Sequence, residues 1–204
     1  MSSRDVRRFG VLVAALVVAA GASVALAGAA LPGAIPTDAP SSTDAPSPTD
    51  ATQRTIDSCG TIDRPGTYVL SSKIENGGNT AISKPCIEIT ADDVAFDGNG
   101  HLIDGRGESH TKGIAVVGAE GVTIRNVAVD DWHAGVHVSE GSATIRNVET
   151  YSNTYGVRLE NATGVTVENS TVRNNLVGVS AVGEDVTLSD NDISENEIEI
   201  QRED

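Results

Sequence analysis

The pentapeptide Thr-Ile-Arg-Asn-Val stands at residues 123–127 and again at 144–148. Around it the chain falls into lines that each open with glycine and a β-branched residue: Gly113-Ile114, Gly135-Val136, Gly156-Val157 and Gly178-Val179. The starts are 22, 21 and 22 residues apart. No helical spacing of apolar residues runs through these lines; apolar and polar residues alternate instead, so each line is a set of short strands. In the second line Val136 and Val138 share one face, Ala143 and Ile145 another, Val148 and Thr150 a third. The third line places Val157 and Leu159, Val165 and Val167, Ser170 and Val172 there. The fourth places Val179 and Ala181, Val186 and Leu188, Asn191 and Ile193. Three inward faces per line predict a roughly triangular coil. One coil cannot bury its own apolar side chains, whereas coils stacked at a strand spacing of about 4.8 Å can. The expected fold is all-β, a three-sided solenoid.

The polar positions repeat as well. Asn126, Asn147 and Asn169 fall between the second and third strands of successive coils, and Asp190 takes that place in the fourth. Asparagine tolerates left-handed backbone, and its amide can bond the turn above or below, so these four residues are expected to form a turn ladder. A second column, Asn153, Asn175 and Asn196, precedes each coil start by three residues, with Trp132 in that place one turn earlier. An outward column of Thr123, Thr144, Thr166 and Thr187 suits exposed strand, and Arg125, Arg146 and Glu168 beside it spoil a flat ice-like face.

Upstream, a basic start (Arg4, Arg7, Arg8) precedes an apolar run ending in Ala25-Leu26-Ala27. Residues 1–30 therefore read as a signal peptide or an N-terminal membrane anchor. Residues 31–55, with Thr-Asp-Ala-Pro given twice, read as a disordered Pro/Thr/Asp-rich linker. Residues 56–204 are the solenoid domain. The only cysteines, Cys59 and Cys86, are expected to pair in a disulfide, since the domain is read as exported, extracellular or at the cell surface. The formal net charge of −15, from 29 acidic against 14 basic residues, excludes nucleic-acid binding and leaves the N-terminal segment as the sole membrane contact. It suits concentrated salt, and a halophilic source is inferred.

The order "CGTIDRPGTYVLSSKI", "CIEITADDVAFDGNGHLIDG", then the coils resembles the right-handed parallel β-helix repeat proteins with a NosD-type domain, in particular secreted haloarchaeal members. The resemblance covers nearly the whole mature chain and implies a right-handed solenoid. NosD itself is associated with copper insertion into nitrous oxide reductase, and the wider fold hosts pectate lyases, polygalacturonases and epimerases. Capping follows from the same comparison. "TYVLSSKI" reads as an N-terminal capping strand pinned by the Cys59–Cys86 bond, and the glycine-rich "DGNGHLIDGRGESHTKG" as a loop bulging from the stack. At the other end Arg202 falls where Ala181 lay, so the stack ends in charge and a monomer is expected.

For chemistry, the outward positions of the first strand are Ala115, His137, Arg158, Ser180 and Gln201, with Asp130, Asp131 and His133 in the adjoining turn. Asp130, Asp131, His133, His137 and Arg158 form the candidate catalytic cluster, a carboxylate pair with a histidine and a cation that suits acid–base cleavage of an acidic polysaccharide. No further acidic group is seen on the neighbouring coil, and the paired motifs of polygalacturonases are missing. His133 and His137 fall on a turn and a strand, so no metal site is assigned, and no cofactor is implied. Two N-glycosylation sequons occur, Asn161-Ala162-Thr163 at an accessible turn and Asn169-Ser170-Thr171 within the ladder; Asn161 is the candidate for modification. A non-catalytic domain for glycan or protein interaction at the cell surface is the leading expectation. A polysaccharide lyase or hydrolase and a NosD-like copper-handling accessory protein are the alternatives.

Overall fold

The computed structural model describes residues 53–182 and 186–203. The assigned export segment and nearly all of the linker lie outside the described residues. The repeat fixes the architecture because every β-branched position finds its copy one rung away. One sheet stacks β1 (Arg54–Ile56), β3 (Gly66–Leu70), β5 (Val94–Asp104), β7 (Val122–Asp130), β9 (Ala143–Tyr151), β11 (Val165–Glu168) and β14 (Val186–Ser189), all in parallel. The far half of β9 continues into β12 (Thr171–Arg173) and β15 (Asp192–Ser194). The second sheet stacks β2 (Gly60–Ile62), β4 (Pro85–Ile89), β6 (Lys112–Val117), β8 (Ala134–Ser139), β10 (Tyr155–Glu160), β13 (Val177–Val182) and β16 (Ile198–Glu203). Val136, Val157, Val179 and Ile200 occupy one register column, and Ile124, Ile145, Val167 and Leu188 another. These are the inward columns expected. Ile124, Ile145 and Val167 are fully buried, each stabilising the stack by about 1.5–3 kcal/mol.

Two coils precede the four legible ones. Tyr68 pairs with Phe96 and Phe96 with Ile124, 28 residues apart in each case. "TYVLSSKI" thus covers the coil beneath as a further parallel rung, and Ile74 bridges to Ile103. The Cys59–Cys86 disulfide ties the start of β2 to β4. The glycine-rich stretch departs from expectation: its first half is strand, with β5 running to Asp104 through a bulge between Asp97 and His101. Only Gly105–Thr111 lies outside a strand. The bulge accommodates Asn99 and Gly100, both at positive φ, so glycine here bends a strand without ending it.

Each regular coil turns at three corners, and left-handed residues recur at them among the described residues. Asn126, Asn147, Asn169 and Asp190 have φ of 54°, 52°, 48° and 54° and bend the first sheet between its two halves. The amide of Asn147 donates to Asn126 Oδ1 at 2.6 Å, and that of Asn126 to Asp97 Oδ1 at 3.0 Å. Asp131, Ser152, Asn174 and Glu195 repeat the conformation at the corner leading into the second sheet.

The residues one step further on, Asn153, Asn175 and Asn196, point inward. Asn153 and Asn175 are each 4% exposed. Asn153 Oδ1 accepts the Trp132 backbone N–H at 2.9 Å, Asn175 Oδ1 that of Asn153 at 3.0 Å, and Asn196 Oδ1 that of Asn175 at 2.9 Å. Each amide nitrogen donates to carbonyls of its own and the preceding rung, as Asn175 does to Arg173 O and Thr150 O. Trp132 ends this ladder, buried, its indole N–H on Ile103 O at 3.0 Å. The glycines that open each coil answer to close approach: a Cβ on Gly135, Gly156 or Gly178 would lie 2.8, 2.7 or 2.6 Å from the carbonyl oxygen one rung below.

Candidate functional site

The corner between β7 and β8 carries the residues singled out from sequence. β7 ends at Asp130, the chain turns through exposed, left-handed Asp131 (φ 57°), buries Trp132, and enters β8 after His133. This geometry parts the expected cluster into two groups, one on each side of the corner.

On the first side, β5 and β7 set Asp104 against Asp130, and β9 adds Tyr151. Carboxylate oxygens of Asp104, Asp130 and Asp131 lie within 4.8 Å of one another. Burial, then the charge of Asp104, pushes the Asp130 carboxyl up to about 6, against a hydrogen bond from Tyr151 that lowers it. Asp130 Oδ1 is buried without a partner, whereas Asp104 Oδ2 accepts the Asn76 backbone N–H at 2.7 Å. The Arg173 guanidinium lies 5.4 Å over the Tyr151 ring and binds Glu149 at 2.7 Å. An acid whose pKa is raised beside other carboxylates can exchange a proton, and three carboxylate oxygens suit a hard cation.

The other side is a run of rings and cations. His110, from the Gly105–Thr111 loop, stacks on His133 at 5.2 Å, and His133 meets the Tyr155 ring edge-on at 5.5 Å. The Arg158 guanidinium covers Tyr155 at 4.8 Å. Burial holds the His133 ring below its usual pKa, and each charge acting on it works in the same direction: His110, Arg158, Lys112 and His137.

His137, Arg158 and Ser180 share the expected outward column, but His137 is 8% exposed and Ser180 is buried too. His137 is covered by Glu160, two residues beyond Arg158 on the same face. Its Oε2 lies 2.8 Å from His137 Nε2, and its Oε1 accepts from Arg158, closing a network across the histidine. Burial keeps His137 below its usual pKa although Glu160 pulls the other way, so the neutral ring donates from Nε2. Burial alone would raise Glu160, but the His137 hydrogen bond and the Arg158 charge outweigh it, and its pKa falls. His137 is therefore a held structural group, with no free nitrogen lone pair at Nε2 for substrate.

Sequence reasoning missed Asp104 and Glu160. Glu160 was open to discovery, since period two puts it beside Arg158. Asp104 was hidden because its strand read as loop. The Asn161 side chain is exposed at the end of β10, and Asp190 closes the left-handed column. Among the described residues, Asp104, Asp130 and Asp131 are the one group of three metal-ligating side chains close enough to share an ion, and no histidine joins them.

A family model described as right handed beta helix region matches residues 112–203. No match is found among the curated proteins searched. The match begins at β6 and ends at β16, which are the regular coils, and with the parallel rungs it makes this domain a right-handed β-helix.

Proposed function

We propose that this right-handed β-helix is an exported, surface-displayed binding domain for acidic glycans, gripping its ligand on the platform of His110, His133, Tyr155 and Arg158. The observation that carries the reading is the ring stack under a guanidinium, at the corner between β7 and β8. Sugar rings pack their C–H faces on aromatic side chains, and the Arg158 N–H groups that Glu160 leaves unused can take a uronate carboxylate. Two rungs of about 4.8 Å match one or two sugar units rather than a long cleft. The Cys59–Cys86 bond supports an oxidising compartment, and the acidic remainder of the surface supports solubility in high salt.

Titration calorimetry with uronate oligosaccharides tests this, at a salt concentration low enough to leave ion pairs unscreened. Tyr155→Ala is expected to weaken binding about tenfold to a hundredfold, on the scale of a hot-spot aromatic. Asp130→Asn should leave it unchanged. Equal affinity of wild type and Tyr155→Ala rejects the platform.

A second reading, a hydrolase or lyase, is favoured by the Asp130 carboxyl, pushed up to about 6 among other carboxylates. New reducing or unsaturated ends from an acidic polysaccharide, lost in Asp130→Asn and kept in Tyr155→Ala, would establish it. Copper handling of the NosD kind would need imidazole nitrogens converging on one point, whereas His110 and His133 lie face to face at 28°.

A further inference from the structure

We propose that Asn161 is an N-glycan acceptor and that the folded chain refuses its other sequon, Asn169. Asn161-Ala162-Thr163 and Asn169-Ser170-Thr171 satisfy the same sequence rule, so only the fold can separate them.

The segment Asn161–Gly164 lies outside any strand, between β10 and β11. Asn161 (φ 50°) and Gly164 (φ 64°) both bend it away from the rung. The Asn161 and Thr163 side chains are exposed, and neither has a hydrogen-bond partner among the described residues. Among the described residues, Thr163 N–H to Gly141 O at 2.9 Å is the backbone bond that ties its middle to the coil above, and Ala162 is buried.

The other sequon is built into the stack. Ser170 is buried; its N–H donates to Asn191 Oδ1 at 2.9 Å, and its hydroxyl donates to Glu168 O at 2.9 Å and accepts from the Val148 N–H at 3.1 Å. Thr171 lies in β12, paired with Glu149 on one side and Asp192 on the other. Asn169 N–H is bound to Ser189 O at 3.2 Å. A transferase must draw the acceptor tripeptide into its own site, and here that means separating three rungs.

The reaction takes an oligosaccharide carried on a lipid diphosphate. The Asn161 amide nitrogen bonds to the anomeric carbon, the carbon–oxygen bond to the diphosphate breaks, the lipid diphosphate leaves as an anion, and one amide proton passes to a transferase carboxylate. The sugar would stand beside Glu160, at the opposite end of β10 from Tyr155.

The test presents the folded, disulfide-bonded full chain, extended at its C-terminus by one further sequon, to a purified single-subunit oligosaccharyltransferase with its lipid-linked donor. Peptide mass spectrometry reads the occupancy of each site. A synthetic peptide of residues 157–175, holding both sequons unfolded, runs beside it. The expected result is modification at both sites of the peptide but, in the folded chain, an occupancy at Asn161 at least about tenfold that at Asn169, since the second requires opening of the stack. Asn161→Gln should then leave the added sequon as the sole occupied site. Equal occupancy in the folded chain overturns the proposal, as does a bare Asn161 beside a modified extension. A peptide modified at Asn161 alone would place the choice in the sequence and overturn selection by the fold.

Discussion

Two columns of asparagine run down this solenoid, and they do opposite work with one residue type. Asn126, Asn147 and Asn169 stand at left-handed corners with side chains toward solvent. What the fold uses there is backbone tolerance, and the amides add little. Asn153, Asn175 and Asn196 stand one step past a left-handed residue, face inward, and spend every amide atom on neighbouring rungs. Asparagine is thus kept in the first column for its φ and in the second for its bonding capacity. A glycine would serve the first; nothing smaller or larger would serve the second.

The largest test of that contrast is Asn175→Ala. It strands the Asn153 N–H and the Thr150 carbonyl inside the stack, so a loss of about 3–5 kcal/mol is expected in urea unfolding, from several buried groups each costing about 1–3 kcal/mol. A loss below about 1 kcal/mol would erase the distinction between columns. Asn147→Ala comes next, at about 1 kcal/mol, the cost of holding an ordinary residue left-handed, while Asn147→Gly should be neutral within a few tenths of a kcal/mol. If glycine there were as harmful as alanine, the outer amides would matter after all. Thr150→Val sharpens the inner rule from the other side. The Thr150 hydroxyl is buried without a partner, so its removal should stabilise by up to about 1 kcal/mol in the same assay.

The smallest effect is a change of slope. Asp130 has a folded pKa of about 6 against an ordinary value of 3.8. The unfolded chain therefore gives up this proton first as pH rises, and folded stability declines between about pH 4 and 6. Asp130→Asn removes that contribution, so thermal melts of variant and wild type should diverge across this window in favour of the variant. Parallel curves would show that Asp130 is solvated as Asp131 is.

The four C-terminal coils were legible because nothing interrupts their period. Their inward columns, their corners and the Cys59–Cys86 pairing could all be read from residue order. The two N-terminal coils escaped because residues 75–84 and 105–111 lengthen the same corner and, with the two-residue bulge between Asp97 and His101, stretch the spacing to 28, which hides the rungs from any search for 22. Asp104 was lost with them. The division of the candidate cluster was illegible for a different reason: residues 130 to 133 are adjacent in sequence, and only the left-handed turn at Asp131 decides that the carboxylates face one side and His133 the other. The burial of His137 likewise follows from Glu160 folding across it, a diagonal contact that a list of directly paired residues leaves out.

Both lengthened turns fall at one corner, the same corner that brings together the histidine stack and the carboxylates. Elsewhere the glycine at the head of each regular coil leaves no room for a methyl group, so the spacing from rung to rung admits no variation. Among the described residues the one other place where a coil gains length is the bulge between Asp97 and His101, so such a body diversifies chiefly along one seam. Relatives that recognise different ligands should differ there in loop length and side chains while keeping the rest of the winding, and new specificities are best sought by randomising residues 105–111 and leaving the strands untouched.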